Sequence, residues 1–200
     1  MSSSSSSSSS SSQSSQIDGQ WLPGWNKRFR FQIDSSKIDE SLSNTPILIK
    51  ISASSGVNST DTTFVFDELG GNSKKIAVTT RDGITQCYVE VESWLGESPL
   101  ESQSESSSSS EEGRTAFVWF KAPYIRHAEN EIFYFYFDST HADNDTYVGD
   151  VNSVVGANVW RSEYKGVWHI SEGGTGTRYD STSNNNDGSP ENYDGDEAVN

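Results

Sequence analysis

Hydrophobic and polar residues alternate with a period of two over several short stretches of the chain. In RFRFQI, Phe29, Phe31 and Ile33 alternate with Arg28, Arg30 and Gln32, the pattern of a strand with one wet face. After Thr45-Pro46, Ile47, Ile49 and Ile51 face one way, with Leu48 and Lys50 opposite. Residues 75–80 form another strand, and Arg81-Asp82-Gly83 supplies the Asp-Gly pair of a tight hairpin turn. Residues 86–92 (QCYVEVE) return antiparallel. Two more strands cover 115–121 and 131–138, joined by a loop around Pro123. In the second, Phe133, Phe135 and Phe137 alternate with Ile132, Tyr134 and Tyr136, so both faces are covered and the strand is expected to be central. Ser35 to Asn44 is a polar link with room for a helical turn, and Asp61 to Leu69 reads as a short strand or helical turn. No long apolar stripe of helical period exists. The expected fold is all-β, an antiparallel β-sandwich of jelly-roll type.

Two segments fall outside this pattern. Residues 1–16, with serine from Ser2 to Ser12, have no apolar anchor and read as a disordered tether. Residues 97–113, Ser- and Glu-rich, read as a disordered internal loop. The expected division is thus a tether to residue 16, a sandwich over 17–163, and a separate segment over 164–200. In that last segment Val167, Trp168 and Ile170 are expected to dock, and the chain beyond about Asp180 to be mobile.

The net charge of −15 is concentrated in these outlying parts. Glu97, Glu101, Glu105, Glu111 and Glu112 give five negative charges, and the stretch from Glu172 to Asn200 has seven acids against Arg178, together −11. The remaining part is close to neutral. A phosphate backbone would be repelled, which argues against nucleic acid as a partner. No run approaches the ~20 apolar residues of a membrane-spanning helix, and no signal peptide is visible. Cys87, the single cysteine, alternates with Val89 and Val91 and reads as a small buried hydrophobe.

The ordered series WLPGWNKRFRFQID, FDELGGNSKKIAVTTRDGITQCYVEVESW, FVWFKAPYI, EIFYFYFDST, TYVGDVNS, NVWRSEYKGVWHISE and DSTSNNNDG resembles a domain family of unknown function in bacterial surface and phage proteins, over about residues 21–190. In that family the domain typically precedes a concanavalin A-like, laminin-G-type jelly roll. The segment GVWHISEGG…DSTSNNNDGSP looks like the opening of that following domain, which would be truncated here. The resemblance implies an extracellular, cell-surface or virion setting within a larger multidomain protein. It implies contact with glycan or a surface protein, and it supplies no catalytic residues. The insertion after Trp94 departs from the family, where a shorter connection is expected.

Candidate chemistry is sparse. Glu90 and Glu92 share a strand face, roughly 7 Å apart at Cα, within the range of glycosidase carboxyl pairs. The same spacing is ordinary on the wet face of an amphipathic strand, and no catalytic residue or cofactor is expected. Asp143, Asp145 and Asp150 form an oxygen-rich stretch and are candidates for calcium, but the EF-hand spacing fails and a solvated turn accounts for them. Asp180 to Asp187 is a similar case. His127, His141 and His169 lack metal-ligand spacing. Aromatic rings are the clearest binding clue, because sugars stack on flat rings; Trp94, Tyr124, Tyr147 and Trp160, at strand ends or in loops, are the candidates for ligand contact. The expected function is a non-catalytic binding or display module. The rivals are an accessory module of a polysaccharide-active enzyme and a structural spacer.

Overall fold

The computed structural model describes residues 19–96, 113–172 and 176–191. The Ser-rich tether and almost all of the 97–113 insertion lie outside the described residues. Among the described residues, eight strands form two four-stranded sheets. The first sheet has the order β1 (Arg28–Ile33), β7 (Glu131–Phe137), β3 (Ile76–Thr79), β4 (Gln86–Cys87). The second has the order β2 (Leu42–Ile51), β6 (Thr115–Ile125), β5 (Val89–Leu95), β8 (Val148–Asp150). Every pairing is antiparallel except β5 with β8. The expected all-β sandwich is the fold observed.

The alternation assigns the inner faces. Phe29 stacks on Phe135 and Phe31 on Phe133, each pair in register across β1 and β7. Phe120 of β6 meets both Phe31 and Phe133 edge-on, at 5.7 and 4.9 Å between centroids, tying the second sheet to the first. Ile49, Ile51, Val78, Val89, Val91 and Val118 complete this core. Strand β7 is internal, as its two apolar faces require.

Three segments differ from the sequence reading. QCYVEVE is not one strand: it crosses between sheets at Tyr88, so that Cys87 pairs with Val78 and Val89 with Phe120. A period of two runs unbroken through such a crossing and cannot reveal it. Strand β6 does not stop before Pro123. It runs on to Ile125, and β2 pairs with it out to Leu42. The stretch 61–69 resolves into a helix, α1 (Phe64–Leu69), whose Val65, Phe66 and Leu69 are buried.

The hairpin turn forms as expected. The Asp82 carboxylate accepts bonds from Thr80, Ile84 and Thr85, and Gly83 takes φ +78°. A Cβ at Gly83 would fall 1.8 Å from the Gln20 carbonyl oxygen, so only glycine fits.

Both outer faces are covered by segments beyond the strands. Residues 19–25 lie on the first sheet, where Leu22 and Trp25 bury Tyr134, Tyr136 and Ala77. Of the face expected to be wet, Arg30 and Gln32 are exposed and only Arg28 is half-buried beneath this segment. Residues 156–172 carry the groups that cover β5 and β6 of the second sheet, beginning with a 3-10 turn at Gly156–Val159.

Candidate functional site

The densest polar cluster sits on the outer face of the second sheet. Glu90 and Glu92 project outward from β5, as their spacing predicts, but neither is freely solvated. Glu90 is completely buried. One of its oxygens, Oε2, accepts a 2.7 Å bond from the indole N–H of Trp160. The same oxygen lies 3.3 Å from Nε2 of His169. Glu92 accepts a 2.6 Å bond from the indole N–H of Trp119 and lies 3.2 Å from Nδ1 of His169. The imidazole thus bridges two carboxylates through its two nitrogens, packed against the rings of Trp119 and Trp160. Only the doubly protonated ring can donate to both.

Burial alone would lower the His169 pKa. The bond with Glu90 and the negative charges of Glu90, Glu92 and Glu172 outweigh it and hold the ring above its ordinary 6.5. The next residue, Ile170, takes φ +57°. For a β-branched side chain the left-handed region costs on the order of 1–3 kcal/mol. That turn directs Ile170 outward while its neighbour His169 stays inserted.

The expected anchors of this segment are corrected accordingly. Trp168 and Ile170 are 42% and 58% exposed, Val167 is half-buried, and His169 docks in their place. The segment also forms no strand. Beyond it, the chain is not loose at Asp180. The Asp180 carboxylate accepts bonds from the backbone N–H of Val167, Thr182 and Asn186, and Asp180, Ser181 and Thr182 are buried. With the isolated bridge between Arg178 and Gly188, these bonds draw residues 178–188 into a loop; residues 192–200 lie outside the described residues.

The four candidate aromatic residues are dispersed. Trp94 is half-buried: its indole donates to the Gly70 carbonyl and its ring meets Phe66 edge-on, capping α1. Trp160, expected in an accessible loop, is 8% exposed and bound to Glu90, so it is a buried structural residue. Tyr147 is half-buried and leans on Tyr88, at 5.5 Å. Tyr124 alone of the four is open, at 46% exposure. It lies at the opposite end of β6 from the Trp94 contact and borders an open cleft of about 210 Å3. Arg81, Asp82, Pro123, Arg126 and Glu131 line the rest of it. Arg81 donates to the Asn130 carbonyl, and Arg126 pairs with Glu129 and Glu131, so both guanidinium groups are held beside the ring.

The calcium candidates have a different partner. The Lys74 ammonium lies 3.1 Å from Asp150 and 3.7 Å from Asp145, and the charge of Asp143 reaches it as well. A lysine already occupies the position a cation would take. Cys87 is buried, and burial with the nearby Asp82 charge pushes its thiol up to about 12, the inert behaviour expected of it. His127 contacts the Ile38 carbonyl and His141 stacks on Trp25, so the three histidines are not brought together.

The clamp at His169 was the part missed by sequence reasoning. Its one available signal was a pair of glutamates on the face of a strand opposite Trp119, with tryptophans in the segment that follows. Comparisons with family models, with curated proteins and with solved structures find no match.

Proposed function

We propose that this chain is a non-catalytic binding or display module of a larger surface or virion protein. It contacts glycan, or a protein surface, through the cleft at Tyr124. The observation that carries this reading is an open aromatic ring at the end of the sandwich, flanked by two anchored guanidinium groups and the carboxylate of Glu131. A flat ring offers a stacking face for a sugar, and fixed polar groups beside it can order the hydroxyls. The carboxyl pair on β5 supports binding over hydrolysis. Glu90 and Glu92 are both engaged by His169 and by indole N–H groups, which leaves no gap between them for a glycosidic oxygen. The Ser-rich stretch Ser2–Ser12 supports a module held away from its neighbours.

The test is a glycan array probed with the full chain and with Tyr124→Ala. Binding by the parent chain that falls at least about tenfold in the variant, as expected for loss of a stacked ring, supports the reading. An array silent for the parent chain removes glycan recognition and leaves contact with a protein surface or the structural spacer.

A further inference from the structure

We infer that residues 160–172, with the loop of residues 176–191 bound to them, form a strap latched to the second sheet by the His169 side chain, and that loss of a proton from this imidazole releases the latch. The inference does not rest on the cleft at Tyr124. It rests on four observations that converge on one ring. His169 has a side chain only 5% exposed. Each of its nitrogens faces a different carboxylate, at 3.3 and 3.2 Å. Those carboxylates are also the acceptors for Trp119 and Trp160, so the indoles report on the same contact. The second oxygen of Glu90, Oε1, is buried without a partner, which leaves this carboxylate dependent on its two bonds through Oε2.

The charged groups facing the ring are Glu90 and Glu92 from β5 and, from the strap itself, Glu172. Trp119 from β6 and Trp160 at the end of the 3-10 turn contribute neutral N–H donors. The surroundings of the imidazolium are thus acidic from both sides. A neutral imidazole has one N–H and one lone pair, so on deprotonation one nitrogen turns a lone pair toward a carboxylate. The buried carboxylate of Glu90 and the half-buried one of Glu92 then lose their shared cation, and the closed strap is disfavoured. Once open, the strap bares the indole of Trp119 beside its cross-strand neighbour Leu48, itself 42% exposed. Two holds do not depend on the imidazole: Arg161 at the start of the strap donates to the Ser43 carbonyl of β2, and the Asp180 loop binds the strap to itself through Val167.

The experiment is a two-dimensional NMR titration of the full chain from about pH 5.5 to about pH 9. It follows the imidazole protons of the three histidines together with the indole N–H signals of Trp119 and Trp160. The expected result is one histidine titrating above 6.5, lost in His169→Gln, with both indole signals moving at the same midpoint. Each rise of one in that midpoint corresponds to about tenfold in the ratio of closed to open strap. Indole signals that stay fixed while His169 titrates, or a His169 midpoint at or below 6.5, overturn the inference. If His169→Gln does not fold, Glu92→Gln removes one of the two carboxylates and is expected to lower the midpoint; an unchanged midpoint there also overturns it.

Discussion

The two sheets of this sandwich are covered by different chemistry. Over the first sheet, residues 19–25 lie on an aromatic floor. Arg28 stacks 4.4 Å from the Trp21 ring and 4.0 Å from that of Tyr134, and donates to the carbonyls of Gln20 and Gly19. The Tyr136 hydroxyl accepts from Leu22 and contacts the Gly83 carbonyl. These contacts are ring stacking and hydrogen bonds to backbone groups, and none of them is an ion pair. Over the second sheet, the cover is fastened by an imidazole between two carboxylates, a contact that exists in one protonation state. One outer layer is therefore fixed and the other conditional, although both are short segments of irregular chain laid across a sheet.

The largest expected effect tests whether the ionic clamp holds its side of the molecule. Replacing Glu90 with Ala leaves the Trp160 indole and His169 without their shared acceptor in a fully buried site. Removing one partner of a buried pair costs about 3–5 kcal/mol, read from urea unfolding at pH 6. A cost below about 1 kcal/mol would mean that the clamp is incidental. On the first sheet, Tyr136→Phe removes the hydroxyl that joins Leu22, Arg28 and Gly83. The expected cost is about 1–3 kcal/mol, the same at pH 6 and pH 8.

Ionisation sharpens the contrast, because each cover has a titratable pin of opposite sign. Burial pushes the Asp138 carboxyl up, but bonds from Thr140 and Asn26 outweigh it and bring it to about 2, from an ordinary 3.8. Its contribution is complete above 3.8 and is lost as pH falls through about 2. Since Asn26 follows the first strap, that loss loosens the first cover in acid. His169 is raised, so its contribution is complete below 6.5 and is lost as pH rises through its higher folded value. The melting temperature should therefore fall on both flanks of a plateau. Asp138→Asn is expected to reduce the acid flank, which Glu68 and Asp82, also brought to about 2, share, and His169→Gln to flatten the alkaline one. A single variant that flattens both would show that the two covers are coupled.

Legibility in the sequence followed the same division. The interior was readable because strands with one buried face must alternate: Phe29, Phe31, Phe133 and Phe135 lie where their spacing puts them. The turn at Asp82-Gly83 was readable because only that chemistry closes a tight hairpin. The covers were not readable. Arg28 and Glu90 occupy positions that periodicity assigns to water, and only segments from elsewhere in the chain half-bury the first and wholly bury the second. The same limit explains Trp160, which is remote in sequence from the glutamate that holds it, and His169, which docks although its apolar neighbours looked better suited. Among the binding candidates, Tyr124 kept its exposure near the end of β6, where the second cover reaches no further than Arg161, on the carbonyl of the register partner Ser43.

The smallest expected effect separates charge from shape in the first cover. Arg28→Lys keeps the positive charge but loses the flat guanidinium lying on Trp21 and Tyr134, together with the fork that reaches both Gln20 and Gly19. The expected cost is about 0.5–1 kcal/mol, with no dependence on pH between the two titrating pins. If lysine serves equally well, charge alone holds that strap, and its hold should weaken with added salt. If lysine costs stability at every salt concentration, stacking holds it. The first cover is then an apolar seal that tolerates changes of medium, whereas the cover at His169 does not.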